Sequence, residues 1–370
     1  MKFVVSSGDI LSRLQIVGRA IASKNTMPIL DNFLFSVKGD TLTITASDQE
    51  IVIQASLSVS DVDHDGRVAV PGGKLAEYLK KLPEQPVVFS VNDETYAIEI
   101  GTTTGKTNQA GLDAIEYPEL KPLDDNAQSF VISSDALLAG LSHTIFATAS
   151  DELRPIMNGV FFDMNDGHVT FVATDSHILS MYSRTDVNTV AGTSFVLGKK
   201  PAALLKNILS AGDNVEVAFD KKSAKFTTNS YTMFCRLTDG NYPQYRAVIP
   251  TQNPFHVIVN RSDISNAVAR ASLYADGTAL VKLDLSSNII YVSTQDLDFS
   301  CSADEKVECQ FEGENMSIGL KAPYFASILS NMTSDDIEMQ VSDPSKAAII
   351  VPVEKKDNED ELMLIMPMKV

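Results

Sequence analysis

Residues 3–14, FVVSSGDILSRL, begin with the alternation of a strand that has one buried face. After a serine pair suited to capping a helix, the apolar positions fall three and four apart. The same switch recurs in FVISSDALLAGL from residue 130 and VIVNRSDISNAV from residue 257, at a constant offset of 127. The register continues in PILDNFLFSVKGDTLTITASDQEIVI from Pro28 and PIMNGVFFDMNDGHVTFVATDSHILS from Pro155, with a weaker third copy, TALVKLDLSSNIIYVSTQDLDFS, from residue 278. Each copy has a second half made of a strand, a helix and further strands: VAVPGGKLAEYLKKL, FVLGKKPAALLKNIL and MSIGLKAPYFASILSNM.

A pattern written three times predicts three α+β domains, at 1–122, 128–248 and 255–370, each read as two similar halves. Proline and polar residues mark the joints near KPLDDNAQ and PTQNPFH. Helices are expected over 8–22, 72–82, 134–149, 198–209, 261–274 and 320–332. In the first, Ile10, Leu14, Val17 and Ile21 would face a sheet and leave Arg13 and Arg19 outside. In the second, Leu75, Leu79 and Leu82 would be buried.

Charge sharpens this picture. The chain of 370 residues carries a formal charge of −18, which by itself argues against nucleic acid. Yet the six helical segments hold 11 Lys and Arg against 4 Asp and Glu, leaving −25 on the remainder. Helices lining one surface of a curved assembly would make that surface positive while the outside repels phosphate.

A composition 44% hydrophobic and 21% charged is that of a soluble protein. With no bilayer-length apolar run and no secretory signal at MKFVVSSGDI, a cytoplasmic location is expected. Cys235, Cys301 and Cys309 lack CxxC spacing and the five histidines are dispersed, so neither a metal nor another cofactor is implied.

Two stretches invite a chemical reading. Asp175, Ser176 and His177 are the residue types of a hydrolytic triad, but neighbours on a strand point to opposite faces, and the stretch is no Gly-x-Ser-x-Gly elbow. Its counterparts TASDQEIVI and VSTQDLDFS keep only the aspartate, which favours a structural turn. GTTTGKTNQ at 101–109 has its glycines one residue too close for a phosphate-binding loop and is read as strand. A hydrolase and a protein-only scaffold remain the competing readings.

Along its whole length the sequence resembles the bacterial DNA polymerase beta sliding clamps, the DNA polymerase III beta subunit family. The resemblance rests on MKF at the start, PILDN at 28–32, ATDSHIL at 173–179, LTDGNYPQYRAVIP at 237–250 and the terminal MPMKV, in that order and spacing. It implies three clamp domains with outer antiparallel sheets and inner helices, closed as a head-to-tail dimeric ring around duplex DNA, without enzymatic activity. The implied partners are DNA held without sequence readout, a second copy, the replicative polymerase, the clamp loader, repair polymerases and mismatch-repair proteins.

The family match at Lys24 and the faces of the helices give the DNA-facing candidates Lys24, Lys74, Lys80, Lys199, Lys200, Lys206 and Arg270. The resemblance assigns the dimer interface to Lys106, Thr107 and Asn108 on one side and to Leu273 and Tyr274 on the other. It also implies a groove for short peptides of the Gln-x-x-Leu-Phe type, formed by Met157, Thr174, Ser176, His177, Ile178, Leu179, Pro243, Ala247, Val248, Leu364, Ile365, Met366, Pro367 and Met368. Leu179, Pro243, Val248 and Met366 would make its deep pocket and His177 its rim. The sequence departs from the family at Pro155 and Ile156, where DNA-holding tyrosines are frequent, and at Ile178, where a basic residue is common.

Overall fold

The computed structural model describes residues 1–25, 27–119 and 122–369. Leu120 and Lys121 at the first predicted joint, and Val370 of the terminal motif, lie outside the described residues. The helices are α1 (Ser7–Val17), α2 (Gly72–Leu79), α3 (Ser134–Thr144), α4 (Lys199–Leu205), α5 (Arg261–Ser272) and α6 (Ala322–Asn331). α1, α3 and α5 begin 127 residues apart, as the repeat predicts. Ile10, Leu14 and Val17 are buried on α1, and Leu75 and Leu79 on α2.

The predicted helices run long at their C-terminal ends. α1 gives way to a 3₁₀ turn at Gly18–Ala20 and α3 to one at Ile145–Ala147, so Ile21 lies beyond the helix and is half-buried. The Ser6 side chain caps α1 by accepting from the Asp9 N–H, and Asn260 caps α5 in the same way from Ser262 and Asp263. Arg13 is not simply left to solvent, since its guanidinium lies over the Tyr231 ring at 5.0 Å.

The chain forms two compact units. The first is Met1–Asp135 with Ala203–Leu237, the second Ala136–Ala202 with Thr238–Val370. All strand pairings among the described residues are antiparallel. The first unit holds an eight-stranded sheet in which Ile51–Ser58 of the first repeat pairs with Tyr231–Arg236 of the second, Ile51 opposite Cys235. It also holds a four-stranded sheet ending on Lys106–Ala110. In the twelve-stranded sheet of the second unit, Ile178–Arg184 of the second repeat pairs with Glu359–Ile365 of the third, Ile178 opposite Ile365. Repeats and compact units therefore do not coincide, because hydrogen-bonded sheets run across the repeat boundaries.

One turn appears three times. The Asp48 carboxylate accepts from the N–H of Glu50 and Ile51 (3.1 and 2.7 Å), Asp175 from His177 and Ile178 (2.8 and 2.9 Å), and Asp296 from Asp298 and Phe299 (2.9 and 3.1 Å). Gln49 and Ser176 both stand at φ 79°, the left-handed conformation that such a turn stabilises. The repeated aspartate is thus a turn residue.

Candidate functional site

The second unit carries an apolar cluster on one face of its sheet. Val172, Leu179, Val196, Tyr242, Tyr245, Ala347 and Leu364 are buried together, with Ile156, Phe161, Met181, Ile249 and Leu362 packed against them. Leu179 and Leu364 are directly opposite across two strands, and Phe161 stacks on Tyr242 with centroids 4.5 Å apart. The NYPQYR loop supplies the two tyrosines. Burial, then the adjacent Asp163 carboxylate, holds the Tyr245 hydroxyl above its usual range; that hydroxyl donates to Asp163 at 2.7 Å. Arg246 donates to Tyr245 and Asp166, which fixes the loop.

Beside this floor stand apolar groups that water reaches. Pro243 and Ala247 are exposed, Val248 is 57% exposed and Met366 42%, and Pro367 and Met368 are half-buried. The C-terminal segment is laid down by two backbone bonds, Met366 N–H to His177 O and Met368 N–H to Gly319 O, each 2.8 Å. A cavity of about 150 Å³ opens at the NYPQYR loop, lined in part by Phe161, Tyr242 and Pro243. A surface of this kind binds apolar side chains and leaves backbone groups nearby for orientation.

The fourteen groove candidates do not all belong to that surface. Ile178 and Ile365 face the opposite side, in the core that contains Phe325 and Ile328 of α6. The reason is strand parity: Ile178 precedes Leu179 and must point the other way. Leu179 is floor at 2% exposure, so the expected deep pocket of Leu179, Pro243, Val248 and Met366 is instead one buried residue beside three exposed ones. Met157 is buried in the turn Pro155–Met157, and Thr174 is buried with its hydroxyl donating to Ile178 O at 2.7 Å. Ser176 and His177 are exposed.

The triad types are separately engaged. Ser176 Oγ accepts from Arg154 at 2.8 Å, His177 stacks on Tyr324 at 5.3 Å, and the Asp175 carboxylate holds the turn. Burial, reinforced by the Asp175 charge, raises the Tyr324 hydroxyl. Arg154, Tyr324, Tyr242 and Tyr245 were not singled out from the sequence; Ile156, which was, packs against the apolar cluster. The aromatic–proline spacing of NYPQY was the available signal for the tyrosines; nothing local pointed to Tyr324.

Among the basic candidates, Lys24 is exposed in a loop shaped by the Asn25 amide, which donates to Ala22 O and Asp31. Lys199 and Lys200 are exposed at the start of α4, and Lys206 is half-buried just after it. Lys80 pairs with Glu77 at 2.7 Å. Lys74 lines a cavity beside Lys106–Ala110. Arg270 is 58% exposed, and both its Nε and Nη2 donate to the Glu305 carboxylate, at 2.9 and 2.7 Å.

The interface candidates lie on an edge strand and at the end of a helix. Lys106–Ala110 pairs only with Ala97–Gly101 among the described residues, and Lys106 bonds Glu99 at 2.8 Å. Leu273 is 80% and Tyr274 47% exposed at the end of α5.

Three family models match the chain: the DNA polymerase III beta subunit N-terminal domain at residues 1–121, its central domain at 131–244 and its C-terminal domain at 246–369. Relatives include the beta sliding clamp of Pseudomonas aeruginosa, 25% identical over 373 residues, and that of Bacillus subtilis, 26% identical over 381. Each comparison covers 100% of both chains. Among solved structures, the DnaN sliding clamp of Bartonella birtlesii bound to griselimycin matches with a TM-score of 0.92 at 27% identity, covering 100% of both chains. The sliding clamp of Bacillus subtilis matches with 0.92 at 26%, covering 100% of this chain and 99% of that one.

Proposed function

The chain belongs to the DNA polymerase III beta subunit family, and on that premise we propose that it is a DNA sliding clamp, a non-enzymatic processivity factor that encircles duplex DNA and tethers the replicative polymerase. The observation that carries the ring is the pattern of repeat junctions. Twice within the chain, the strand after the aspartate turn of one repeat pairs with the last strand of the next: Ile51 with Cys235, and Ile178 with Ile365. The third such strand, Cys301–Phe311, has residues 301–308 unpaired on its outer side among the described residues. The matching last strand of the first repeat, Lys106–Ala110, also has a free edge.

Each chain therefore offers one half of a missing junction at either end. Two copies joined head to tail satisfy both, and a heterologous contact whose rotation closes gives a ring. Lys106, Thr107 and Asn108 meet Leu273 and Tyr274 in this reading. The functional division is the threefold one, 1–122, 128–248 and 255–370.

DNA is held topologically. Lys24, Lys199, Lys200 and Lys206 steer and loosely contact phosphates, which positions the duplex without reading it. Lys74, at the cavity lip, serves the edge instead. The apolar cluster with Pro243, Val248 and Met366 is the peptide groove shared in turn by polymerase, clamp loader, repair polymerases and mismatch-repair proteins. Burying two large apolar side chains there supplies roughly 3–6 kcal/mol before association costs, which suits exchange between partners. The chain acts in the cytoplasm; among the described residues no helix is long and apolar enough to cross a membrane.

Primer extension on a primed circle, with the polymerase and loader of the same organism, tests the proposal. Product length per binding event rises when the chain is added; product length that does not respond would overturn it.

A further inference from the structure

We propose that the turn containing Leu297 and Phe299 enters a cavity of a second copy, beside α2, and supplies the apolar key of ring closure. This rests on the head-to-tail reading above and adds which side chain fills the joint. Phe299 is 81% and Leu297 79% exposed, on a turn held by the Asp296 carboxylate. Two large apolar groups fixed in water at one turn call for a cover.

The other repeats show what covers such a position. The third residue after Asp48 is Ile51, and after Asp175 it is Ile178; both are 3% exposed. Ile178 sits in the core of the following repeat, with Phe325, Ile328 and Ile365. Phe146, at the end of the helical segment of α3, packs against that same core. A preceding repeat thus lends two side chains to the next. The third residue after Asp296 is Phe299, and the residue 127 places after Phe146 is Leu273, 80% exposed.

The first repeat has the corresponding vacancy. A cavity of about 610 Å³ is lined by Leu75 and Tyr78 of α2, by Ile100, and by Thr107, Gln109 and Ala110 of the free edge strand. Ala110 lies seven residues before Tyr117, as Cys235, the partner of Ile51, lies seven before Tyr242. A small alanine there leaves room for a phenylalanine where the second junction pairs isoleucine with isoleucine. The charges agree as well: Lys74 lines the cavity, and Asp298 directly precedes Phe299 in sequence. Both arguments point to a second copy of this chain as the occupant.

Sedimentation of the full chain across a concentration series, for the wild type, Phe299→Ser and the Leu297→Ser/Phe299→Ser pair, tests this. The dimer dissociation constant should rise at least tenfold in the single variant and further in the pair, with thermal melts of the monomer unchanged because both groups are exposed. In a C301S/C309S background, F299C with A110C should give a covalent dimer on oxidation. A wild-type dimer whose affinity is unchanged by Phe299→Ser, with no cross-link, overturns the key and leaves the ring standing. A wild-type chain that remains monomeric throughout overturns the head-to-tail reading and the key with it.

Discussion

Truncating Val248 and Met366 to alanine separates ligand binding from folding. In the free chain these side chains are 57% and 42% exposed, so their removal opens no core cavity and should change stability by no more than about 0.5 kcal/mol. Leu179, at 2% exposure, is a poor choice, because a buried Leu→Ala change costs about 2–5 kcal/mol and would confuse unfolding with lost affinity. A peptide that covers Val248 and Met366 gains about 0.8 kcal/mol for each methylene-sized group it buries, or roughly 1 to 1.5 kcal/mol per residue given their present exposure. The double variant should therefore bind about 30- to 150-fold more weakly, at 1.4 kcal/mol per decade. Fluorescence anisotropy with a labelled Gln-x-x-Leu-Phe peptide measures this, and circular dichroism melts check the fold. An affinity within twofold of the wild type, with melts unchanged, would refute the placement of the groove.

Other outcomes follow from the same geometry. Asp175→Ala deprives the His177 and Ile178 N–H groups of their acceptor and should cost about 1–2 kcal/mol, read as a lowered melting temperature; an unchanged Tm would show the turn to be held otherwise. Ser176→Ala should leave peptide affinity within a few-fold and abolish no turnover, and loss of a hydrolytic rate would restore the triad. Burial pushes the Cys235 thiol up to about 12, so at pH 8 it should resist alkylation until the chain unfolds; labelling at the rate of a free thiol contradicts that. Deleting residues 366–370 removes Met366 and the two backbone bonds of the terminal segment, and should abolish peptide binding while sedimentation still reports a dimer.

Much of the architecture was legible in the sequence because strand and helix periods repeat at an offset of 127, and α1, α3 and α5 begin on that spacing. What the repeat could not reveal is which strands meet across its boundaries, since the pairing of Ile178 with Ile365 joins residues far apart in the chain. The groove was half legible. Leu179 and Leu364 share one buried cluster, whereas Ile178 and Ile365 turn to the other core, an outcome that strand parity dictates once Leu179 faces the first. The pairing of Arg270 with Glu305 was not legible, because the two lie 35 residues apart. Phe299 drew no notice because exposure, not pattern, makes it unusual.

A ring that encircles duplex DNA is retained by topology. The chain, loaded by the clamp loader of the same organism onto nicked circular DNA, should co-elute with the circle at moderate salt and be released when a restriction enzyme linearises it. Its binding to short linear duplex should be weak and salt-sensitive, since few phosphates are neutralised at once. Retention that survives linearisation with both ends free, or equal affinity for a short linear duplex, would contradict topological retention.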